Sequence, residues 1–153
     1  MDVKFINPFM SATVHVLETL AHVKAQPGKP YLKKDKLARG DVTGCIGLTG
    51  KARGTVSVSF TEKCILAIVS SMFGEEFKEL NEEIRDAVGE ISNMISGQAR
   101  RQLEEGGLSL SAAIPTVVMG KNHSLSHFTT YPVIAIPFTT DKGEFTIEVS
   151  FEE

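Results

Sequence analysis

The feature that most restricts the fold is an apolar stripe in the segment from Asn81 to Glu104. Ile84, Val88, Ile91 and Ile95 fall within about 40° of one another on a helical wheel. Asp86, Glu90, Asn93, Gly97 and Arg100 lie opposite, about 160° to 240° from Ile84. Such a helix buries one face only, so the chain must supply a sheet or other helices beneath it. Gly106-Gly107 marks its end.

The other segments supply that partner. Asn7-Pro8 reads as an N-cap with proline at the first helical position. Phe9, Thr13, Val16, Leu17, Leu20 and Val23 then recur at helical spacing to about Lys24, and Gln26-Pro27-Gly28-Lys29-Pro30 stops the run. Val42 to Leu48 and Thr55 to Phe60 read as two strands joined by a glycine-flanked turn. In the second, Val56, Val58 and Phe60 alternate with Ser57 and Ser59, the pattern of a half-buried antiparallel strand. Thr61-Glu62 caps a short helix to Phe73, which Gly74 ends. After the long helix, Leu108 to Ile114 and Thr116 to Met119 read as extended. Gly120 to Ser126 is a polar loop. Pro132 to Phe138 and Phe145 to Phe151 form a closing hairpin, with Phe145, Ile147, Val149 and Phe151 on one face.

The order is helix, strands, helices, strands. It predicts an α+β (layered α/β) fold with helices packed on an antiparallel or mixed sheet. A long helix followed by strands occurs twice, which suggests two pseudo-two-fold halves within a single domain spanning residues 1–153.

Composition narrows the function classes. The chain is 42% apolar and 23% charged, which supports a packed core and excludes disorder. A net charge of −3 argues against a nucleic-acid partner. There is no stretch of about 20 apolar residues to span a bilayer, and Met1-Asp2-Val3-Lys4 does not open a signal peptide. The expected compartment is the cytoplasm, with Cys45 and Cys64 reduced and buried.

The outward face of the long helix is chemically unusual. Gly89 and Gly97 each cost a helix about 1 kcal/mol relative to alanine, and Asn93 is a poor helix former because its amide competes for backbone groups. Two explanations stand at this level. The glycines admit a closely packed neighbour and Asn93 is a solvated amide; or the patch is functional, where local preferences are typically violated.

The segment resembles the helix signature of the CheC, CheX and FliY phosphatases of bacterial chemotaxis: a Glu, two residues, an Asn, and a small residue four further on. Glu90, Asn93 and Gly97 match. Asn7-Pro8-Phe9, the strand Gly54 to Phe60, and the closing strand Phe145 to Phe151 are also similar to CheX members. The resemblance implies an enzyme that hydrolyses the aspartyl phosphate of a phosphorylated CheY-type response regulator. It implies that Asn93 orients the attacking water and that Glu90 pairs with the regulator's active-site lysine. Gly97 would permit close approach, and Asp86 would complete the partner-binding face. No cofactor or metal of its own is implied, since the Mg2+ belongs to the regulator. A homodimer built through sheet edges is implied as well. The first helix offers only Glu18-Thr19-Leu20-Ala21, with Ala21 where the amide would stand, so one site per chain is expected. The alternative is a non-catalytic module that binds a regulator, or one that serves a flagellar switch as FliM does.

Other candidate motifs are weaker. Gly44 to Lys51 imitates a phosphate loop, but five residues separate Gly44 from Gly50 and Ala52 stands where Ser or Thr is required, so a strand and turn is expected. His123 and His127, or His15 and His22, lack a third ligand in sequence.

Overall fold

A computed structural model of the chain describes residues 3–35, 38, 40–121, 123 and 132–152. Among these residues three helices cover one face of an antiparallel sheet: α1 (Val3–Ala21), α2 (Glu62–Phe73) and α3 (Glu82–Glu105). The strands are β1 (Gln26–Pro27), β2 (Tyr31–Lys33), β3 (Val42–Gly50), β4 (Arg53–Phe60), β5 (Leu110–Ala112), β6 (Thr116–Met119), β7 (Val133–Thr140) and β8 (Gly143–Glu152). Their order across the sheet is β1-β7-β8-β4-β3-β5, with β2 also on β7 and β6 also on β3. The order reads the same by role from either edge. The hairpins β3–β4 and β7–β8 meet along β4 and β8, and each hairpin is completed by the short strands that follow the other half's long helix. That is the expected pseudo-two-fold, with α2 as the unmatched element.

The core lies between the helices and the inward residues of β3, β4, β7 and β8. Phe5 stacks on Phe151 with ring centroids 4.5 Å apart, and Phe138 stacks on Phe145 at 4.9 Å. Both stackings lie in the favourable range for aromatic pairs. Thr61 caps α2 by accepting from the Cys64 N–H at 3.3 Å, and Gly74 closes it in the left-handed region. Asn81 caps α3 by accepting from the Ile84 N–H at 3.0 Å.

The first helix departs from expectation at both ends. It starts at Val3, with Pro8 inside it, rather than at Asn7. An interior proline costs about 3 kcal/mol. Phe5, Ile6 and Phe9 are buried against the core, each worth about 1.5–3 kcal/mol, and together they outweigh it. The helix ends at Ala21 rather than Lys24, because His22 adopts a left-handed conformation with φ 55°. The expected stop segment then does more than stop. Gln26 and Pro27 pair with Thr139 and Phe138, and Tyr31 to Lys33 pair with Ala135 to Val133.

The strand β4 is buried on both faces, not one. Ser57 and Ser59 are as inaccessible as Val58 and Phe60. The sheet's second face is polar but covered: Thr43 shares hydrogen bonds with Ser59 and with His123, and the Ala38 N–H donates to the His123 carbonyl. A fully buried ion pair, Lys33 Nζ to Glu148 Oε2 at 2.6 Å, crosses the same face. Sequence alternation records polarity, and polarity here does not mean solvent. Cys45 and Cys64 are free thiols, Cys64 buried as expected and Cys45 only half-buried; loss of solvent pushes both up to about 11, so they are protonated at neutral pH.

Gly44, in the false phosphate loop, belongs to β3. A Cβ there would collide with the Ser92 side chain, so the glycine lets α3 settle onto the sheet. His127 lies outside the described residues.

Candidate functional site

The helix α3 rests on β3 through its apolar stripe: Ile84, Val88, Ile91 and Ile95 are all fully buried. This anchoring aims the opposite face outward. Asp86, Glu90 and Asn93 are exposed, as the wheel predicts. Among the described residues, neither the Glu90 nor the Asn93 side chain has a hydrogen-bond or ion-pair partner. Their spacing of three places both on one helix face as neighbours.

The structure bears on the packing explanation of the glycines. A Cβ at Gly89 would meet only Val117 Cγ2 at 3.6 Å, an ordinary contact. A Cβ at Gly97 would meet only Arg100 Nη2 at 4.0 Å. Among the described residues nothing packs closely enough to require either glycine, so the roughly 1 kcal/mol each costs the helix has no return in the packing described.

Beside the pair lies a shallow cavity of about 350 Å³ lined by Arg85, Asp86, Gly89, Glu90, Asn93, Pro115 and Val117. The last two come from the edge of the sheet. Between the pairs Leu48–Ala112 and Cys45–Thr116, β3 contributes two residues and the outer strand three, so Ala113-Ile114-Pro115 forms a one-residue bulge. Pro115, which has no N–H to donate, is tolerated at such an edge. The Arg85 guanidinium ties the helix to this rim, Nη1 donating to the Val117 carbonyl at 3.2 Å. Gly97 is not part of the cavity. It lines a separate depression of about 300 Å³ between α3 and α1, with His15, Thr19 and Met94 among its walls.

The wheel's placement of Asp86, Glu90 and Asn93 on one exposed face matches the structure, and Gly97, one turn beyond Asn93, faces the neighbouring depression instead. Sequence reasoning missed Arg85, Pro115 and Val117. Only the proline interrupting the extended run Leu108 to Met119 hinted at a bulged edge.

Among the described residues no three of His, Cys, Asp and Glu converge as metal ligands. No described helix is long and apolar enough to cross a membrane. The surface offers an amide and carboxylates on a rigid helix beside an open cavity. That arrangement suits a protein whose helix face presents hydrogen-bonding groups, fixed in position, to a second molecule.

Comparison with known proteins gives this class a family. Residues 42–139 match the family of chemotaxis phosphatase CheX. The crystal structure of a chemotaxis protein CheX from Desulfovibrio desulfuricans superposes with a TM-score of 0.90 at 47% identity, covering 97% of this chain and 99% of that one. The CheY-P phosphatase CheX of Thermotoga maritima is 28% identical over 129 residues, 84% of this chain and 83% of that protein. The fold is shared, at 24% identity and a TM-score of 0.82, with the CheX-CheY-BeF3-Mg+2 complex from Borrelia burgdorferi, over 99% of this chain and 100% of that one. The chain belongs to the CheX family of chemotaxis phosphatases.

Proposed function

We propose that residues 1–153 act as a single phosphatase domain that hydrolyses the aspartyl phosphate of a CheY-type response regulator in the cytoplasm. The observation that carries this reading is the Glu90–Asn93 pair: solvent-facing, without a partner among the described residues, and held on a helix whose other face is fully buried. The Thermotoga maritima relative is a CheY-P phosphatase, and the Borrelia burgdorferi relative forms a complex with CheY bearing BeF3 and Mg2+.

The chemistry asks little of the enzyme. An acyl phosphate is labile, and the regulator's own Mg2+ neutralises the phosphoryl oxygens. What remains is to place a water in line with the scissile bond. Asn93 does this through an amide that both donates and accepts without titrating. Glu90, one turn away, pairs with the regulator's active-site lysine, which fixes the depth and angle of the helix. Asp86 extends the docking face, and Gly97 keeps the far end of the face low enough for close approach. The Mg2+ enters with the substrate.

A homodimer through a sheet edge fits the two edges that carry no further strand among the described residues. The β5–β6 edge is broken by the bulge and borders the site, whereas β2 exposes Tyr31 and Leu32. The β2 edge is therefore the better surface for a second copy.

The test is the decay of a CheY-type regulator, phosphorylated with a small-molecule phosphodonor and then freed of it. This chain should accelerate decay, and Asn93→Ala should remove about hundredfold or more of that acceleration, roughly 2.7 kcal/mol of barrier. Binding to the BeF3−–Mg2+ form of the regulator without faster decay would instead identify a sequestering protein.

A further inference from the structure

The phosphatase chemistry leaves one charged group of the cavity without a role. Arg85 is the one cation lining it among the described residues, beside two acids, Asp86 and Glu90. Resting on the phosphatase reading above, we propose that Arg85 is a specificity-determining contact, one that reads a carboxylate on the regulator surface beside the phosphorylated aspartate.

Position separates Arg85 from the chemistry. Eight residues at about 1.5 Å each set it about 12 Å along the axis from Asn93, and about 80° around the helix from it. Its guanidinium is moreover held toward the sheet edge by the bond to the Val117 carbonyl. A group so placed meets the protein that surrounds the phosphoryl group, not the oxygens that Asn93's water attacks.

Its hydrogen-bonding capacity is unfilled. A guanidinium carries five N–H donors in a planar fork suited to two-pronged carboxylate binding. The Nη1 bond to Val117 uses one. Nε is shielded from solvent and has no hydrogen-bond partner among the described residues, which leaves the Nη donors as the ones open to an incoming group. The nearest carboxylate, Glu82 Oε1, stands 3.9 Å from Nε on a side chain that is 83% exposed. That pair is too long for a hydrogen bond and too exposed to hold the arginine firmly, so an incoming carboxylate displaces it readily. One cation beside two acids is also a pattern that only a complementary arrangement on the partner satisfies, which sets register and suppresses other regulators.

The bland alternative is a strut: Arg85 caps an edge carbonyl of β6 and does nothing else. Three variants separate the two roles. Arg85→Gln keeps an N–H donor and loses the charge, Arg85→Lys keeps the charge and loses the fork, and Arg85→Glu reverses the charge. With a CheY-type regulator phosphorylated by acetyl phosphate, KM and kcat are measured at low and at 0.5 M salt. Recognition of a carboxylate predicts a KM raised about tenfold in Arg85→Glu and about threefold in Arg85→Gln, with the smallest change in Arg85→Lys. It also predicts kcat within about twofold throughout and differences that shrink at high salt. A wild-type KM in Arg85→Glu overturns the role of Arg85 while leaving the phosphatase reading intact. So does a loss confined to kcat, or a pattern in which Arg85→Gln behaves as wild type and Arg85→Lys does not. A wild-type protein that fails to accelerate decay overturns the phosphatase reading and the role of Arg85 with it.

Discussion

The helices α1 and α3 occupy matching places in the two halves, packed side by side on the same sheet, yet their free faces have diverged. Each buries an apolar stripe completely, with Phe9 and Leu17 on α1 and Ile84, Val88, Ile91 and Ile95 on α3. The free face of α3 carries an asparagine and two glycines that cost helix stability, and packing among the described residues does not require the glycines. On α1 the sole glutamate is Glu18, and the residue three further on, Ala21, is buried at the helix end, 1% exposed. The duplicated architecture thus provides two equivalent platforms, and the Glu-x-x-Asn pair stands on one of them. A buried face is set by the fold's need for a core. An exposed face is free of that need, and on α3 it carries the helix-weakening residues on which the proposed function rests.

Core truncation should erase this distinction. Phe9→Ala in α1 and Ile91→Ala in α3 each leave a cavity in a fully buried site and should destabilise by about 2–5 kcal/mol, read by denaturant unfolding. Two separate unfolding transitions in either variant, in place of one, would show that the halves fold independently.

Equipping the second platform should fail. Ala21→Asn restores the Glu-x-x-Asn spacing after Glu18 but buries an amide, at a cost of about 1–3 kcal/mol. It should therefore lower stability without adding phosphatase activity when tested in an Asn93→Ala background. Recovery of activity there would mean that the two helices are interchangeable and that side chains alone set the difference.

The smallest effect separates stability from use. Gly97→Ala should stabilise the helix by up to about 1 kcal/mol, because the added methyl meets only Arg100 Nη2 at 4.0 Å. The same methyl should weaken docking of the regulator. A variant that gains thermal stability and keeps full affinity would remove Gly97 from the binding face.

Much of this was legible in the chain. The stripe of α3 and its caps are local signals, so its extent and its outward trio Asp86, Glu90 and Asn93 could be read directly. The hairpins declared themselves through alternation and turn glycines. The misses share a cause. β1 and β2 are short segments whose partners on β7 lie more than a hundred residues away, as in Gln26 with Thr139, and nothing local announces them. Pro8 looked like a helix start because only the stacking of Phe5 on Phe151 justifies the turn before it. Ser57 and Ser59 looked solvated because what lies on that face is set by remote segments: Ser59 bonds Thr43, which in turn bonds His123.

The sequence by itself therefore determined which residues face inward and outward on each element, because periods of 3.6 and 2 are properties of the backbone. It could not determine what each outward face meets. That the Glu90–Asn93 face borders a cavity, rather than open water, depends on a bulge that brings Pro115 and Val117 alongside α3 and on the Arg85 bond that holds them there. Such neighbours are set by strand pairing between distant segments, and only the tertiary structure decides that.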